Sequence, residues 1–200
     1  MGAKDLTRTR SDGAGVQERP LLLVDIDGVI SLFARSPTDS PAPAGLAHAP
    51  HAARLADGAA VGSLHSIDGI LHYLSATAAR HLHALARVFD LVWASGWEEK
   101  ADEYLPHLLG VPAGLPFLTF ARRSSRGSAE ALSVDAHWKL EAVDGYAQER
   151  ALAWIDDAFN DACHEWAAAR TAPTLLVATA PERGLTEAEA RRLEAWAADL

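Results

Sequence analysis

The sequence predicts a doubly wound, Rossmann-like α/β fold with a parallel sheet of about five strands. Short apolar runs alternate along the chain with segments of helical periodicity, which is typical of parallel strands covered by helices on both faces. Three of these runs also end in acidic or small polar residues, as expected where strand ends form a ligand site. The length of 200 residues suits one domain, or one domain with a small insertion.

Composition and charge narrow the class of protein. Apolar residues make up 49% of the chain and charged residues 22%, which is ordinary for a globular protein. The net charge of -9 opposes broad, non-specific binding of nucleic acid, although a local basic patch could still bind one nucleic-acid end. The single cysteine, Cys163, excludes an intramolecular disulfide and a cysteine-based zinc site, so we expect a reducing, cytoplasmic setting.

The N-terminal segment and the absence of long apolar runs bear on targeting. Residues 1–19 are polar and contain no hydrophobic stretch of the kind that secretory signals carry, so we predict a disordered tail there. No apolar run approaches the ~20 residues that a membrane span needs. We therefore predict a single domain over residues 20–200 and no membrane partner.

Five apolar runs are predicted to be the strands of the sheet. The first covers residues 21–26, between Pro20 and Gly28. The other four cover 90–94, 117–120, 151–155 and 174–178. Helices are predicted over about 76–88, 98–109, 137–150 and 160–170. Ser75 is expected to cap the first helix, and a capping box from Thr186 to Glu189 begins the last.

Residues 31–75 are predicted to be a loop and β-hairpin insertion after the first strand. Four prolines within residues 34–60 predict an irregular segment. The Asp68-Gly69 pair lies between two alternating segments, which predicts a tight β-hairpin over 61–74. We expect His65 and His72 to face each other across this hairpin, which could overhang the ligand site.

Polar residues follow three of the predicted strands, and right-handed crossovers bring them to one edge of the sheet. Carboxylates that converge there repel one another unless a cation holds them. Oxygen ligands without a cysteine or histidine set favour Mg²⁺, which would also screen a phosphate. The residues are Asp25 and Asp27 after the first strand, Ser95 and Gly96 after the second, and Asp156 and Asp157 after the fourth.

These motifs resemble, in the same order, those of the haloacid dehalogenase-like (HAD) superfamily of phosphohydrolases. The resemblance covers roughly residues 20 to 180 and implies that the insertion over 31–75 acts as a cap on the site. The segment from Asp25 to Gly28 matches the Asp-x-Asp-Gly motif of that family, and Ser95 matches its second motif. Lys139 is the best match to the basic residue of the third motif, and Asp156-Asp157 matches the acidic pair of the fourth.

Three short strings resemble a narrower group, the phosphatase-like domains of multi-domain "Swiss army knife" RNA-repair proteins. The strings are Val92 to Glu98, Ala153 to Asp157 and Pro181 to Thr186. This resemblance implies that the substrate is a nucleotide or a terminal phosphate on RNA. The net charge instead favours a phosphatase of a small metabolite. A catalytically silent phosphate-binding or interaction module on the same fold is a third hypothesis, and a phosphotransferase or dehalogenase stays open.

The resemblance implies a role for each catalytic residue. Asp25 would attack phosphorus and form an aspartyl-phosphate, and Asp27 would act as the general acid and base. Ser95 would hydrogen-bond a phosphoryl oxygen, and Lys139 would balance the charge on Asp25 and the phosphoryl group.

The resemblance also implies a Mg²⁺ shell. Its ligands would be Asp25, the backbone carbonyl of Asp27, Asp156 and, with them, Asp157.

Further residues are candidates for substrate binding. Gly28 and Gly96 lie in the motif loops, and Trp97 could line the pocket and stack on a base or sugar, with core packing as the alternative. Arg122, Arg123 and Arg126 follow the third predicted strand and could contact a phosphate, or take the place of Lys139. A solvated loop is the alternative for this cluster.

Overall fold

The computed structural model describes residues 18–33, 61–120 and 136–200. Its strands, in chain order, are β1 (Leu21–Val24), β2 (Ser31–Leu32), β3 (Gly62–Ile67), β4 (Ile70–Ser75), β5 (Asp90–Trp93), β6 (Leu152–Asp156) and β7 (Thr174–Ala178). Its helices are α1 (Ala76–Leu85), α2 (Glu99–Leu109), α3 (Leu140–Ala147), α4 (Asp161–Ala169) and α5 (Glu187–Ala198), and a short 3-10 helix, Ala136–Lys139, precedes α3.

The apolar runs form a parallel sheet in the order β5-β1-β6-β7. Strand β1 lies at its centre, so that Val24 is in register with Trp93 on one side and with Ile155 on the other. The chain segments that follow β1, β5 and β6 therefore meet at one edge of the sheet. This arrangement confirms the predicted parallel α/β architecture and the edge at which the polar residues converge.

The sheet has four strands in the described residues, where the sequence predicted about five. The segment predicted as a strand over 117–120 forms a single parallel bridge, between Phe117 and Trp93. The N–H of Phe120 donates to the Glu98 carboxylate at 2.9 Å and not to a neighbouring strand. The apolar run thus contributes to the core through Leu118, without extending the sheet.

Alternate residues of β1 belong to two cores, one on each face of the sheet. Leu22 and Val24 are in a core with apolar residues of α1, α2 and α5. Leu21 and Leu23 are in a second core with residues of α3 and α4. This period of two along a strand that is buried on both faces explains why the sequence of β1 is apolar throughout.

Two predicted helix starts are confirmed, and two predicted helices are longer than those observed. Ser75 caps α1, with its hydroxyl accepting from the Ala78 N–H at 3.0 Å. The capping box of α5 is present, and the Thr186 N–H donates to Glu189 at 3.0 Å. Helix α1 ends at Leu85, before the predicted residue 88, and the segment predicted as one helix over 137–150 is the 3-10 helix followed by α3.

The predicted hairpin forms a second, antiparallel sheet in the order β2-β4-β3. Its turn residues, Asp68 and Gly69, both have positive φ (51° and 81°), as a type I′ turn requires. His65 pairs with His72 across the strands, as expected. Because β2 follows the first acidic motif directly and pairs with β4, the hairpin is attached beside the sheet edge.

Three further predictions concern the N-terminal tail, the irregular segment and membrane spans. The tail prediction falls mostly on residues 1–17, which lie outside the described residues, as does the irregular segment 34–60. Glu18 and Arg19, at the end of the predicted tail, form ion pairs with Arg150 and Asp90 respectively. Among the residues described, no helix has the length and apolar character that crossing a membrane would require.

Candidate active site

A buried lysine joins the first and fourth acidic motifs. Lys139 Nζ lies 2.9 Å from Oδ2 of Asp25 and 2.7 Å from Oδ2 of Asp156. All three residues are buried, with Asp156 fully excluded from solvent. Charges at such depth are tolerated only when they are paired and hydrogen-bonded. The structure therefore brings Asp25 to Lys139 and Asp156, which lie more than a hundred positions after it in the chain.

The local backbone explains how each carboxylate reaches this point. The Asp25 N–H donates to the Ile155 carbonyl at 3.0 Å, which continues the β1–β6 ladder by one residue beyond Val24. Oδ1 of Asp156 accepts from the Ala158 N–H at 3.0 Å, so this carboxylate turns the chain with one oxygen and binds Lys139 with the other. Both acids are held by the strand ends and not by mobile surface turns.

Burial shifts the pKa of two carboxyl groups. Loss of solvent raises the pKa of Asp25 to about 7, reinforced by the charge of Asp156 and opposed by Lys139. Burial, with Asp156 again, raises the pKa of Asp157 to about 6. Burial acts to lower the pKa of Lys139, but Asp25 and Asp156 outweigh it and the pKa is raised. One ammonium group thus leaves the negative charge of this cluster incompletely balanced near neutral pH.

Three of these carboxylates could hold a cation. Asp25, Asp156 and Asp157 each offer one oxygen, and these oxygens lie within 4.8 Å of one another in the described part of the chain. Opposite ligands of an octahedral Mg²⁺ are separated by about 4.2 Å, since each oxygen lies ~2.1 Å from the ion. The side chains would need only a small inward movement. The donor set, all carboxylate oxygens with an excess of negative charge, fits this ion.

Gly28 is required where the first motif turns beneath Asp157. Its φ is +72°, and a Cβ at this position would lie 2.2 Å from Oδ2 of Asp157. The hydroxyl of Thr179, after β7, donates to the Gly28 carbonyl at 2.9 Å and fixes the turn from the other side. The glycine therefore makes room for a candidate metal ligand, which differs from the substrate contact that the sequence predicted for it.

We expect Gly28→Ala to weaken cation binding by displacing Asp157. The substitution also adds about 1–2 kcal/mol of backbone strain, because alanine is disfavoured at positive φ. Gly69→Ala is the matched control, since its φ is +81° but no atom lies within 4 Å of an added Cβ. Both variants should unfold at a lower temperature, and calorimetric titration should show reduced Mg²⁺ affinity for Gly28→Ala alone. Equal Mg²⁺ affinities would contradict the role given to Gly28.

A cavity of about 190 Å³ opens over the cluster. It contains the polar residues that were predicted to converge, including Ser95 and Gly96 after β5. It also contains three residues that the sequence did not identify as part of a site, Phe33, Trp138 and Ala158. The position of Trp138 next to Lys139 in the sequence was the available signal. The lining residues are Asp25, Asp27, Phe33, Ser95, Gly96, Trp138, Lys139, Asp156, Asp157 and Ala158.

Asp27 lies in the same cavity but takes part in a different set of contacts. It is not among the three carboxylates that could share a cation. Its Oδ2 accepts a hydrogen bond from the indole N–H of Trp97 at 3.0 Å. The ring of Trp97 contacts the ring of His72 edge to face, with the centroids 4.8 Å apart. The structure thus places Trp97 beside the second acid of the motif.

The alternative base for the third motif falls on Arg122, Arg123 and Arg126, which lie outside the described residues. Within the described ranges, Lys139 is the cation in contact with Asp25. This direct contact favours Lys139 as the basic residue of the third motif, which the sequence had left open.

The chain matches no model of a protein family, no curated protein and no solved structure. A functional interpretation therefore depends on the residues themselves. The features that any proposal must explain are Lys139 buried between Asp25 and Asp156, Asp157 beside them, and Asp27 in the same cavity.

Proposed function

We propose that this chain is a Mg²⁺-dependent phosphohydrolase that resembles the haloacid dehalogenase-like enzymes and acts through an aspartyl-phosphate on Asp25. The observation that carries the proposal is the position of Lys139, in contact with Asp25 and Asp156 at the floor of an open cavity. A nucleophilic carboxylate needs a cation to oppose the repulsion of an incoming phosphate, and Lys139 would supply that charge.

The proposed reaction has two steps. In the first, a carboxylate oxygen of Asp25 forms a bond to phosphorus while the ester P–O bond breaks, and Asp27 donates a proton to the departing oxygen. In the second, water attacks the phosphorus of the aspartyl-phosphate and gives a proton to Asp27. The P–O bond to Asp25 then breaks, which restores the carboxylate and releases inorganic phosphate.

Asp25, Asp156 and Asp157 would hold the Mg²⁺ ion, with the backbone carbonyl of Asp27 as a fourth ligand from the protein. When bound, the ion neutralises charge on the phosphoryl group and polarises it. Asp156 contacts Lys139 through one oxygen and a backbone N–H through the other, so its position is fixed before any ion binds. Because this ligand is already fixed in position, the entropic cost of binding the ion is reduced.

The stabilising effect of Mg²⁺ should increase with pH. Because burial raises the pKa of Asp25 to about 7 and that of Asp157 to about 6, from 3.8, the folded apoprotein binds more protons than the unfolded chain in this interval. Its free energy of unfolding must then decrease as the pH rises from about 4 to about 7. Ionised carboxylates bind the cation, so Mg²⁺ should raise the melting temperature far more at about pH 8 than at about pH 5. Thermal melts with Mg²⁺ or EDTA test this, and equal shifts at both pH values would contradict it.

The proposed substrates are phosphate monoesters of nucleotides or of RNA ends. Support comes from the three short strings that resemble the phosphatase-like domains of RNA-repair proteins. A small-metabolite phosphatase is the second candidate, and the cavity of about 190 Å³ favours it, being below the ~300 Å³ of ordinary ligand pockets. Parallel assays with 5′- and 3′-phosphorylated oligonucleotides, mononucleotides and sugar phosphates distinguish the two classes.

The proposed function is tested by phosphate release from a generic aryl phosphate, with Mg²⁺ or with EDTA. We expect release with Mg²⁺ and none with EDTA. A folded protein that releases phosphate neither from the aryl ester nor from the oligonucleotides, mononucleotides and sugar phosphates of the parallel assays would contradict the proposal. If such a protein still bound inorganic phosphate, the catalytically silent module would replace it as the better hypothesis.

A further inference from the structure

We propose that Trp97 is a positioning residue for Asp27, and that the β3–β4 hairpin holds Trp97 in place through His72. The inference rests on the proposed function, because it concerns the proton transfer assigned to Asp27. It adds a role for the hairpin, which lies with β2 in the second sheet and supplies none of the charged groups that line the cavity.

The contact at Asp27 favours one of its two oxygens as the carrier of the proton. The indole N–H of Trp97 is a donor only, so Oδ2 of Asp27, 3.0 Å away, must be an acceptor in both protonation states. The carbonyl oxygen of a protonated carboxyl group is a better acceptor than its hydroxyl oxygen, so this contact favours the proton on Oδ1 when Asp27 is the acid. Because Trp97 holds Oδ2, the carboxyl group is restricted in rotation about its bond to Cβ. Trp97 thus presents Oδ1 to the reacting phosphate.

A closed ring of contacts connects this pair to the hairpin. The His72 ring contacts Trp97 with an interplanar angle of 69°, and its Nδ1 lies 3.0 Å from the Ser31 hydroxyl. Ser31 returns to the motif loop, since its carbonyl accepts from the Gly28 N–H at 2.8 Å. The path of contacts runs from Asp27 through Gly28, Ser31, His72 and Trp97 and returns to Asp27.

The hairpin tip is attached to the helix that follows Trp97. The Tyr104 hydroxyl, in α2, donates to Oδ1 of Asp68 at 3.0 Å, and Lys100 forms an ion pair with the same carboxylate. The hairpin therefore contacts the segment from Trp97 to Tyr104 at two points, which keeps His72 against the indole. An independent loop over the site would not need such attachments.

The activity test compares esters that differ in their need for a proton. An alkyl phosphate releases a poor leaving group that must be protonated, whereas nitrophenyl phosphate releases a phenolate that needs little help. kcat/KM reports the steps through ester cleavage. Trp97→Phe should lower kcat/KM about ten- to a hundredfold for the alkyl ester, as expected for a misplaced acid, and far less for nitrophenyl phosphate. A double variant of Asp27→Asn and Trp97→Phe should be no slower than Asp27→Asn alone.

Trp166→Phe is the matched control, because the Trp166 indole N–H also donates to a carboxylate, that of Asp144, at 2.9 Å and outside the cavity. It should hydrolyse both esters as the wild type does. Equal losses for both esters in Trp97→Phe, or additive losses in the double variant, would overturn the positioning role while leaving the proposed function in place.

A second readout does not depend on activity. The exchange rate of the Trp97 indole proton, measured by NMR, should be slow in the wild type and faster in both His72→Ala and Asp27→Ala. The Trp166 indole proton should be unaffected. An unchanged Trp97 exchange rate in His72→Ala would overturn the role of the hairpin. Failure of the wild type to cleave any ester would overturn the proposed function and the catalytic part of this inference, and the exchange rates would still decide the contact itself.

Discussion

Asp25→Asn should abolish Mg²⁺-dependent phosphate release while the protein remains folded. The amide has nearly the same shape and can still accept from Lys139, but it is not a nucleophile and is a poor cation ligand. The rate should fall by about 10⁴-fold or more, the range observed when a covalent nucleophile is removed. Phosphate release from an aryl ester in the presence of Mg²⁺ measures the loss, and circular dichroism checks the fold.

Asp144→Asn is the matched control for this substitution. Asp144 is an exposed acid on α3, away from the cavity, and accepts a hydrogen bond from Trp166. Its replacement should leave the rate of phosphate release unchanged. An Asp25→Asn protein that kept a tenth or more of the wild-type rate would contradict the assignment of the nucleophile.

Lys139→Met should produce the largest loss of stability among the site variants. Methionine fills a similar volume, but Asp25 and Asp156 would remain buried without their cation. Removing one partner of a buried ionic group costs about 3–5 kcal/mol. In EDTA, the free energy of unfolding at about pH 8 should therefore decrease by about this amount. The loss should be smaller at about pH 5, where Asp25, with its pKa raised by burial to about 7, is protonated and needs no partner.

Lys100→Met provides the comparison at the surface. Lys100 also pairs with an aspartate, Asp68, but both side chains are about half exposed. Solvent already screens such a pair, so its loss should change the unfolding midpoint little. Urea denaturation of both variants measures the difference. Equal effects of the two substitutions, or a loss in Lys139→Met that does not depend on pH, would contradict the buried ion-pair arrangement.

Much of the candidate site could be predicted because it lies at strand ends. An apolar run that stops at an acidic or small polar residue predicts a buried strand with that residue at its end, and parallel strands place such ends side by side. Asp25, Ser95 and Asp156 were predicted in this way and line one cavity. Lys139 lies on a helical segment and was found by the resemblance alone, yet it contacts both acids.

The contacts that support the site could not be predicted, because they join distant parts of the chain without a local pattern. The Thr179 hydroxyl binds the Gly28 carbonyl across 151 positions, and the Trp97 indole binds Asp27 across 70. A tryptophan after a strand is equally compatible with core packing or a pocket wall. The apolar run at 117–120 shows the same limit. A strand needs a partner along its whole length, and within the described part of the chain Phe117 is the residue of this run that forms a β-bridge.

The measurement that tests the central claim most directly is the trapping of the phosphorylated protein. Wild-type protein, mixed with substrate and Mg²⁺ and quenched in acid, would be digested and analysed by mass spectrometry. We expect one phosphoryl group on the peptide that contains Asp25, lost on treatment with hydroxylamine, which cleaves acyl phosphates, and absent from Asp25→Asn. Phosphate release without any phosphoryl group on that peptide, or with the group on another residue, would contradict the account.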